Sequence, residues 1–442
     1  MKEAILKQKK ERERLLAYDY QERLAQRTAT LYRDSKMIKL ITGPRRAGKS
    51  SLALQMLRGQ NFAYLNFDDS ALLEGFNESK VEDLLDEVYS GYNYLLLDEV
   101  QNLDGWSIWV EKLYRRGTNL VITGSNANML SDDIAALLSG RYLEIRLYPF
   151  SAEEYIQYRQ SCGRNMVSEN VLYDDFLKYG GYPEIALTPK ICEGYLSGLY
   201  DSTIVTDIVK RYKVRKVDEL YNVADWLLSN FTNAFSVTSL AEDVGMGSVT
   251  TVQKYCRYLQ NTYLFQFLPR FNNKLKLMNK ADRKCYVADN GFVLARAFEL
   301  SSNLGRLLEN MVALELLKRG YDLKKYELFY YKSRNDREVD FVCRKGVTIR
   351  QLIQVCYDIS SPKTRKREID SLIECAEELK VDSLLIITWD QNETVEKNGY
   401  TIEVISVRKW THRQTSACPD ADNVYGKVIS GCDETHGRDG VK

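Results

Sequence analysis

The string GPRRAGKS at positions 43–50 constrains this chain more than any other feature. It has the spacing G-x-x-x-x-G-K-S, directly follows the apolar run MIKLIT and opens the helical run SLALQML. A loop of this kind turns successive backbone N–H groups toward one point, and the positive end of the following helix adds to their field. It dictates a strand, a phosphate-sized cradle and a helix, in that order. Gly43, Pro44, Arg45, Arg46, Ala47, Gly48, Lys49, Ser50 and Ser51 are therefore the residues expected to enclose the phosphates of ATP. Lys49 supplies a point charge there, and the Ser50 hydroxyl is placed to ligate Mg²⁺.

Four further strand-like runs follow, FAYLNF, YNYLLLDEV, NLVITG and YLEIRL, with helical segments between them over 37–150. Such alternation predicts a parallel α/β sheet. The second half of a phosphoryl-transfer site needs acidic groups at the end of a neighbouring apolar strand, and YLLLDE at 94–99 provides them. Asp98 is expected on the magnesium side, and Glu99 is expected to polarise the attacking water. Ser125 and Asn126, at the end of NLVITGSNAN, are candidates for a γ-phosphate sensor or for ordinary helix capping. Arg141, in LLSGRYLEIRL, reads either as an arginine finger acting on a neighbouring subunit or as a surface ion pair.

Composition narrows the function classes. Lys plus Arg number 62 and Asp plus Glu 61, so a net charge of +1 gives no global field for nucleic acid or membrane. Polyanion binding would have to come from local patches. No apolar run approaches the roughly 18–20 residues that cross a bilayer, and the N-terminus is charged where a signal peptide needs an apolar core. The expected address is cytoplasmic, with no membrane partner. The nine cysteines form no CxxC pair, and the two histidines, His412 and His436, lie near the C-terminal end. Chemistry in the body of the chain must then use carboxylates, Lys, Arg and a bound metal.

The 442 residues suffice for two or three cores. The expected division is a helical extension at 1–36, the ATPase core at 37–155, a helical lid or linker at 156–230, a winged helix-turn-helix at 231–271, an α/β domain at 272–410 and a polar, unstructured tail at 411–442. In the fourth segment SVTSLAEDVG, the turn MGS and SVTTVQKYCRYLQNT give two helices. Val249, Val252, Cys256 and Leu259 share one face of the second. Thr250, Thr251, Gln253, Lys254, Arg257 and Tyr258 share the other and make a candidate set for DNA, with YLFQFLPRF as the wing. Protein docking is the competing role.

GPRRAGKS, FAYLNFDD, LLLDEVQNLDGW, ITGSNANML and SGRYLEIRLYPFSAEEY together resemble the AAA+ family of predicted ATPases of bacteria and archaea. KYGGYPE, DIVKRYKV, YVADNGF and LENMVALELLKRG look like that family's downstream region. The resemblance implies an AAA+ domain, a winged helix and a C-terminal restriction-endonuclease-like α/β domain in one polypeptide. It further implies that Glu309 and Asp340 occupy that domain's first two acidic positions, while Gln354 and Cys356 stand at the third and fourth. A neutral amide is a weaker Mg²⁺ ligand than a carboxylate, and a thiol cannot act as an ammonium. An inert nuclease-like module is expected. The readings that remain are an ATP-hydrolysing protein engaging DNA or a protein partner, with assembly into a homo-oligomer, a slow nucleotide switch, and an ATP-regulated nuclease.

Overall fold

The computed structural model describes residues 1–125, 138, 140–162, 167–296 and 304–413. Asn126 and the tail from 414 onward lie outside the described residues. All five expected strands form: β1 (Ile38–Thr42), β2 (Phe62–Asn66), β3 (Tyr94–Asp98), β4 (Asn119–Gly124) and β5 (Tyr142–Arg146). They make one sheet in the order β2-β3-β4-β1-β5, and every neighbouring pair is parallel. β1 lies inside the sheet, between β4 and β5, and is buried along its whole length, Lys39 included, whose ammonium donates to the Ser35 carbonyl at 3.0 Å.

Helices cover both faces: α1 (Lys2–Leu16), α2 (Leu24–Arg33), α3 (Lys49–Met56), α4 (Ser70–Leu73), α5 (Glu78–Val88) and α6 (Trp106–Arg115). The strand period of two sorts them. Ile38 and Leu40 of β1 pack with Ile5, Leu85 and Trp109 on one face, and Ile41 packs with Ala29, Leu52 and Ala53 on the other. The 1–36 extension is thus two helices on opposite faces. Residues 17–23 between them run beside α3, where Arg58 donates to the Tyr18 carbonyl at 2.6 Å, Gln55 to the Tyr20 carbonyl at 3.1 Å, and Arg23 to the Ala47 carbonyl at 3.0 Å.

A helical stretch follows: α7 (Ala152–Ser161), α8 (Glu169–Tyr179), α9 (Pro183–Leu187), α10 (Cys192–Ser202), a π-helical segment (Thr203–Lys210) and α11 (Val217–Ser229). Then come β6 (Ala234–Phe235), α12 (Val237–Asp243), α13 (Val249–Asn261), β7 (Phe265–Pro269), α14 (Leu275–Met278), β8 (Arg283–Val287) and α15 (Asn290–Arg296). β6, β8 and β7 form a three-stranded antiparallel sheet. This module runs past the expected limit at 271, because the hairpin partner of β7 is β8. On α13, Val252, Tyr255, Cys256 and Leu259 are buried, whereas Val249 is 40% exposed. Tyr258 also leaves the expected open face, since its ring stacks on Tyr212 at 3.8 Å.

The last module comprises α16 (Leu304–Lys318), β9 (Leu328–Lys332), β10 (Glu338–Lys345), β11 (Thr348–Val355), α17 (Pro362–Leu379), β12 (Leu384–Thr388), β13 (Glu393–Lys397), β14 (Tyr400–Ser406) and α18 (Val407–His412). Its six-stranded mixed sheet has the order β13-β14-β12-β11-β10-β9. Residues 411 and 412, assigned from sequence to the tail, end α18. The 156–230 stretch is helical as expected but does not behave as one linker. Tyr155, Leu172, Tyr173 and Phe176 of α7 and α8 share a core with Leu308, Ile353, Ile387 and Trp410, while α10 and α11 pack with the three-stranded sheet. Among the described residues no helix is long and apolar enough to cross a membrane.

Candidate functional site

The loop after β1 is held open by backbone geometry. Gly43 has φ 149°, and a Cβ there would lie 1.9 Å from the Leu147 carbonyl oxygen, so only glycine fits beside the chain leaving β5. Gly48, with φ 96°, starts α3. Lys49 begins the helix and folds back over the loop, its ammonium donating to the Pro44 carbonyl at 3.1 Å and lying 3.3 Å from Glu99 Oε1. Ser50 follows, and its hydroxyl donates to Asp98 Oδ1 at 2.8 Å.

β3 lies two strands from β1 and delivers Asp98 and Glu99 to the same edge. Asp98 is 2% exposed and also accepts from the hydroxyls of Thr123, on β4, and Tyr64, on β2. Burial first, and the neighbouring Glu99 charge second, push its carboxyl up to about 6, against the hydroxyl donors and Lys49. Burial would raise Glu99 too, but the Lys49 ammonium, Gln101 and Arg45 outweigh it and hold Glu99 below the ordinary range. Glu99 also sits at φ 51°, a left-handed conformation that few non-glycine residues adopt, and its N–H is fixed by the Thr123 hydroxyl at 2.9 Å. One carboxylate is thus costly to ionise and the other is ionised beside a cation.

Around this pair is a cleft of about 380 Å³, within the usual range for a small-molecule site. Arg45, Arg46, Ser51 and Asp68 line its phosphate end; Tyr20, Gln21, Arg23, Phe150, Tyr158 and Glu184 line the rest. Arg23 is the keystone of the far wall. It is 7% exposed, donates to the carbonyls of Ala47 at 3.0 Å and Tyr148 at 2.6 Å, lies 3.1 Å from Glu154, and faces the Phe150 ring at 4.7 Å.

Ser125 is buried at the end of β4 and accepts from the Gln101 amide at 3.3 Å; the same amide donates to Glu99. It reaches the site through Gln101 rather than directly. Arg141 is elsewhere. It precedes β5, at the opposite edge of the sheet from the loop after β1, and its guanidinium lies 3.6 Å from Glu111 and over the Tyr114 ring. In this chain it makes the ion pair, and a finger role would require a second copy to bring that edge to the loop. Arg23, Asp68, Gln101 and Thr123 escaped the sequence reading. Only Thr123, a polar residue buried within the apolar run of β4, carried a local signal.

A second cluster lies between the middle and last modules. Glu309 on α16 and Asp340 on β10 come together as expected, but an ammonium is present that β11 does not supply. Lys284, from β8, is 3% exposed and lies 2.9 Å from Glu309, 2.7 Å from Glu338 and 2.9 Å from Asp340. Tyr286 donates to Glu309 at 2.8 Å. The absence of a cation inferred from Cys356 is therefore corrected: the cation comes from a different module. Gln354 donates to Glu368 at 2.8 Å, and the Cys356 thiol turns to the Asp358 carbonyl. Among the described residues no group of three or more His, Cys, Asp and Glu is arranged to hold a metal ion.

A parallel sheet with a glycine-bounded loop after β1 and an acidic pair at the end of β3 defines a P-loop domain of the AAA type, and the family model described as AAA domain matches residues 35–156. Residues 170–303 and 304–410 match two domains of unknown function, DUF8612 and DUF4143. An uncharacterised protein of Haemophilus influenzae is 31% identical over 396 residues, covering 86% of this chain and 95% of its own length. Another, from Methanocaldococcus jannaschii, is 32% identical over 401 residues, covering 85% and 88%. The chain belongs to one family with these two proteins.

Among solved structures, a Walker-type ATPase of Pyrococcus abyssi matches 64% of this chain and 99% of its own at 15% identity and a TM-score of 0.44. An ORC1 protein of Aeropyrum pernix, solved in complex with DNA, matches 69% and 97% at 13% identity and a TM-score of 0.32. Likenesses at this level add nothing to the family assignment, which rests on the two full-length relatives.

Proposed function

We propose that this chain binds ATP with Mg²⁺ in the cleft at the end of β1, hydrolyses the γ-phosphate bond, and uses the nucleotide state to change its engagement of DNA. The observation that carries the reading is the single cluster in which Lys49 meets Glu99 and Ser50 meets Asp98. The residues fit the metal: a buried carboxylate that ionises reluctantly, next to a hydroxyl, gains from a cation in reach of both. When bound, Mg²⁺ supplies positive charge against the phosphate oxygens, with Ser50 and Asp98 holding it.

The protein's own groups do the rest. Lys49 leaves the Pro44 carbonyl and Glu99 for the phosphates, which are the stronger anion. Glu99 then loses its ammonium partner, keeps the Gln101 amide, and is free to accept a hydrogen bond from a water in line with the γ-phosphate. Arg23 and the residues 17–23 close the far side of the cleft and keep bulk water from it.

DNA is favoured over a protein partner by charge and exposure. Thr250, Gln253, Lys254 and Arg257 are exposed on α13, and Lys274, Lys276, Lys280 and Arg283 are exposed on the connection from β7 to β8. The order α11, β6, α12, α13, β7, β8 supports a winged helix, with 270–282 as the wing. The order α16, β9, β10, β11, α17, β12 supports a restriction-endonuclease-like core, and the neutral Gln354 amide at the third acidic position, donating to Glu368, supports the absence of cleavage chemistry.

The test separates two steps. Lys49→Ala should lose most ATP affinity, whereas Glu99→Gln should bind ATP as the parent does and lose about a hundredfold or more in turnover, the usual contribution of a placed base. Equal binding loss in both variants, or parental turnover in Glu99→Gln, sinks the assignment.

A further inference from the structure

Arg45 stands in the middle of the phosphate loop, lines the cleft, and does not point only at it. Its Nε and Nη2 donate to the two carboxylate oxygens of Asp207, at 3.1 and 2.8 Å, in a fork-on-carboxylate geometry. Asp207 comes from the π-helical segment Thr203–Lys210, in the stretch leading to α11. Its side chain is 6% exposed, and Arg45 is the only cation paired with it among the described residues. The second terminal nitrogen of Arg45, Nη1, makes no hydrogen bond among the described residues, so its two N–H groups stay available on a residue that lines the cleft while the other edge is engaged. π-Helical turns are rare and concentrate at functional positions. Here the wide turn occurs where a helix contributes a carboxylate to another module's loop.

The segment does not end at Asp207. Helix continues through Arg211 to Tyr212, whose ring stacks on Tyr258 of α13 at 3.8 Å and 8° and whose hydroxyl accepts from Asn261 at 3.2 Å. One helical segment thus touches the phosphate loop at one end and the helix proposed to contact DNA at the other.

We propose that Asp207 is a positioning residue that holds Arg45 so that Nη1 reads the γ-phosphate, and that the π-helical segment carries that reading to α13. The inference rests on the ATP site proposed above. With ATP bound, Nη1 donates to the γ-phosphate while Asp207 keeps the guanidinium oriented; with ADP, that donor has no anion to meet. Asp207 therefore acts on the difference between the two nucleotides rather than on nucleotide binding in general. A charge-assisted hydrogen bond made by one nucleotide and not the other corresponds to about tenfold in relative affinity.

The experiment uses the full chain with fluorescent ADP and a fluorescent non-hydrolysable ATP analogue, and hydrogen exchange over 203–216 in each nucleotide. Asp207→Asn should keep ADP affinity within about twofold, lower the preference for the ATP analogue about tenfold, and erase the exchange difference between the two nucleotides. Arg45→Lys, which keeps the charge without the fork, should likewise lower the preference for the ATP analogue over ADP and erase the exchange difference, so the outcome does not hang on one variant folding. Parallel loss of both affinities would mark a merely structural bridge and overturn the proposal, as would an unchanged preference. A parent protein that binds neither nucleotide would overturn the ATP reading instead, and the two failures are distinct.

Discussion

Replacing Asp98 with Asn should stabilise the nucleotide-free protein at neutral pH, by an amount that shrinks as the solution is acidified. Asp98 is fully surrounded, and its carboxyl is raised from an ordinary 3.8 to about 6. That gap corresponds to about 3 kcal/mol at about 1.4 kcal/mol per factor of ten. The sign follows from linkage: between about pH 4 and 6 the folded state holds a proton there that the unfolded chain has released, so stability falls as pH rises through this window. Above about 6 the folded protein carries an ionised group it would be more stable without. Asparagine removes the charge and keeps the geometry, because its oxygen still accepts from Ser50 and Thr123 and its amide can donate to the Tyr64 hydroxyl. The expected gain is up to about 3 kcal/mol at pH 8 and about half of that at pH 5. Hydrogen exchange at the amides of β3 and β4, with variant and parent compared at the same pH in EDTA, reads the local free energy without assuming that all modules unfold together. A difference that does not vary with pH, or a parent more stable than the variant at pH 8, would refute the argument that charge at Asp98 is held at a cost in anticipation of a cation.

Three further outcomes are expected. Gly43→Ala forces a methyl to 1.9 Å from the Leu147 carbonyl oxygen, so the loop must shift; nucleotide affinity should collapse while circular dichroism stays close to the parent's. Lys284→Met leaves Glu309, Glu338 and Asp340 without their shared ammonium, which should destabilise the contact between the middle and last modules by about 3–5 kcal/mol. Because Glu309 already stands at about 7, acidification to pH 5 should ease that loss, and urea denaturation at the two pH values checks it. Lys254→Ala combined with Arg257→Ala should weaken duplex DNA binding and reduce the salt slope by about two, with ATP affinity unchanged. No binding by the parent at low salt would turn attention to a protein partner for α13.

The P-loop module was legible because its chemistry is local. Glycine spacing fixes the loop, strand ends fix Asp98 and Glu99, and apolar runs of five or six residues between helical segments fix the sheet. What escaped was contributed from far along the chain. Arg23 reaches the loop from a charged extension whose sequence reads only as helix, and Asp207 pairs with Arg45 across 162 positions. Lys284 lies on an antiparallel strand of one module and neutralises acids of another, so the loss of a lysine at Cys356 could not be weighed from β11 alone. The open face of α13 was read nearly correctly; Tyr258 left it because the partner ring, Tyr212, belongs to a segment with no periodic tie to it.

The shared core of α7 and α8 with the last sheet has a consequence for how the chain is made. α8 ends at Tyr179, while β12, whose Leu385 and Ile387 belong to the same core, begins at Leu384. Synthesis at about 5–20 residues per second would leave the apolar faces of these two helices uncovered for roughly 10–40 seconds on the ribosome. The middle module has time to fold during that interval, and its completion brings the two ends of the last core together. A chain cut near residue 303 would never escape the waiting state. It should be recovered with chaperones or in aggregates rather than as a free two-module protein, even though the cut falls on a family boundary.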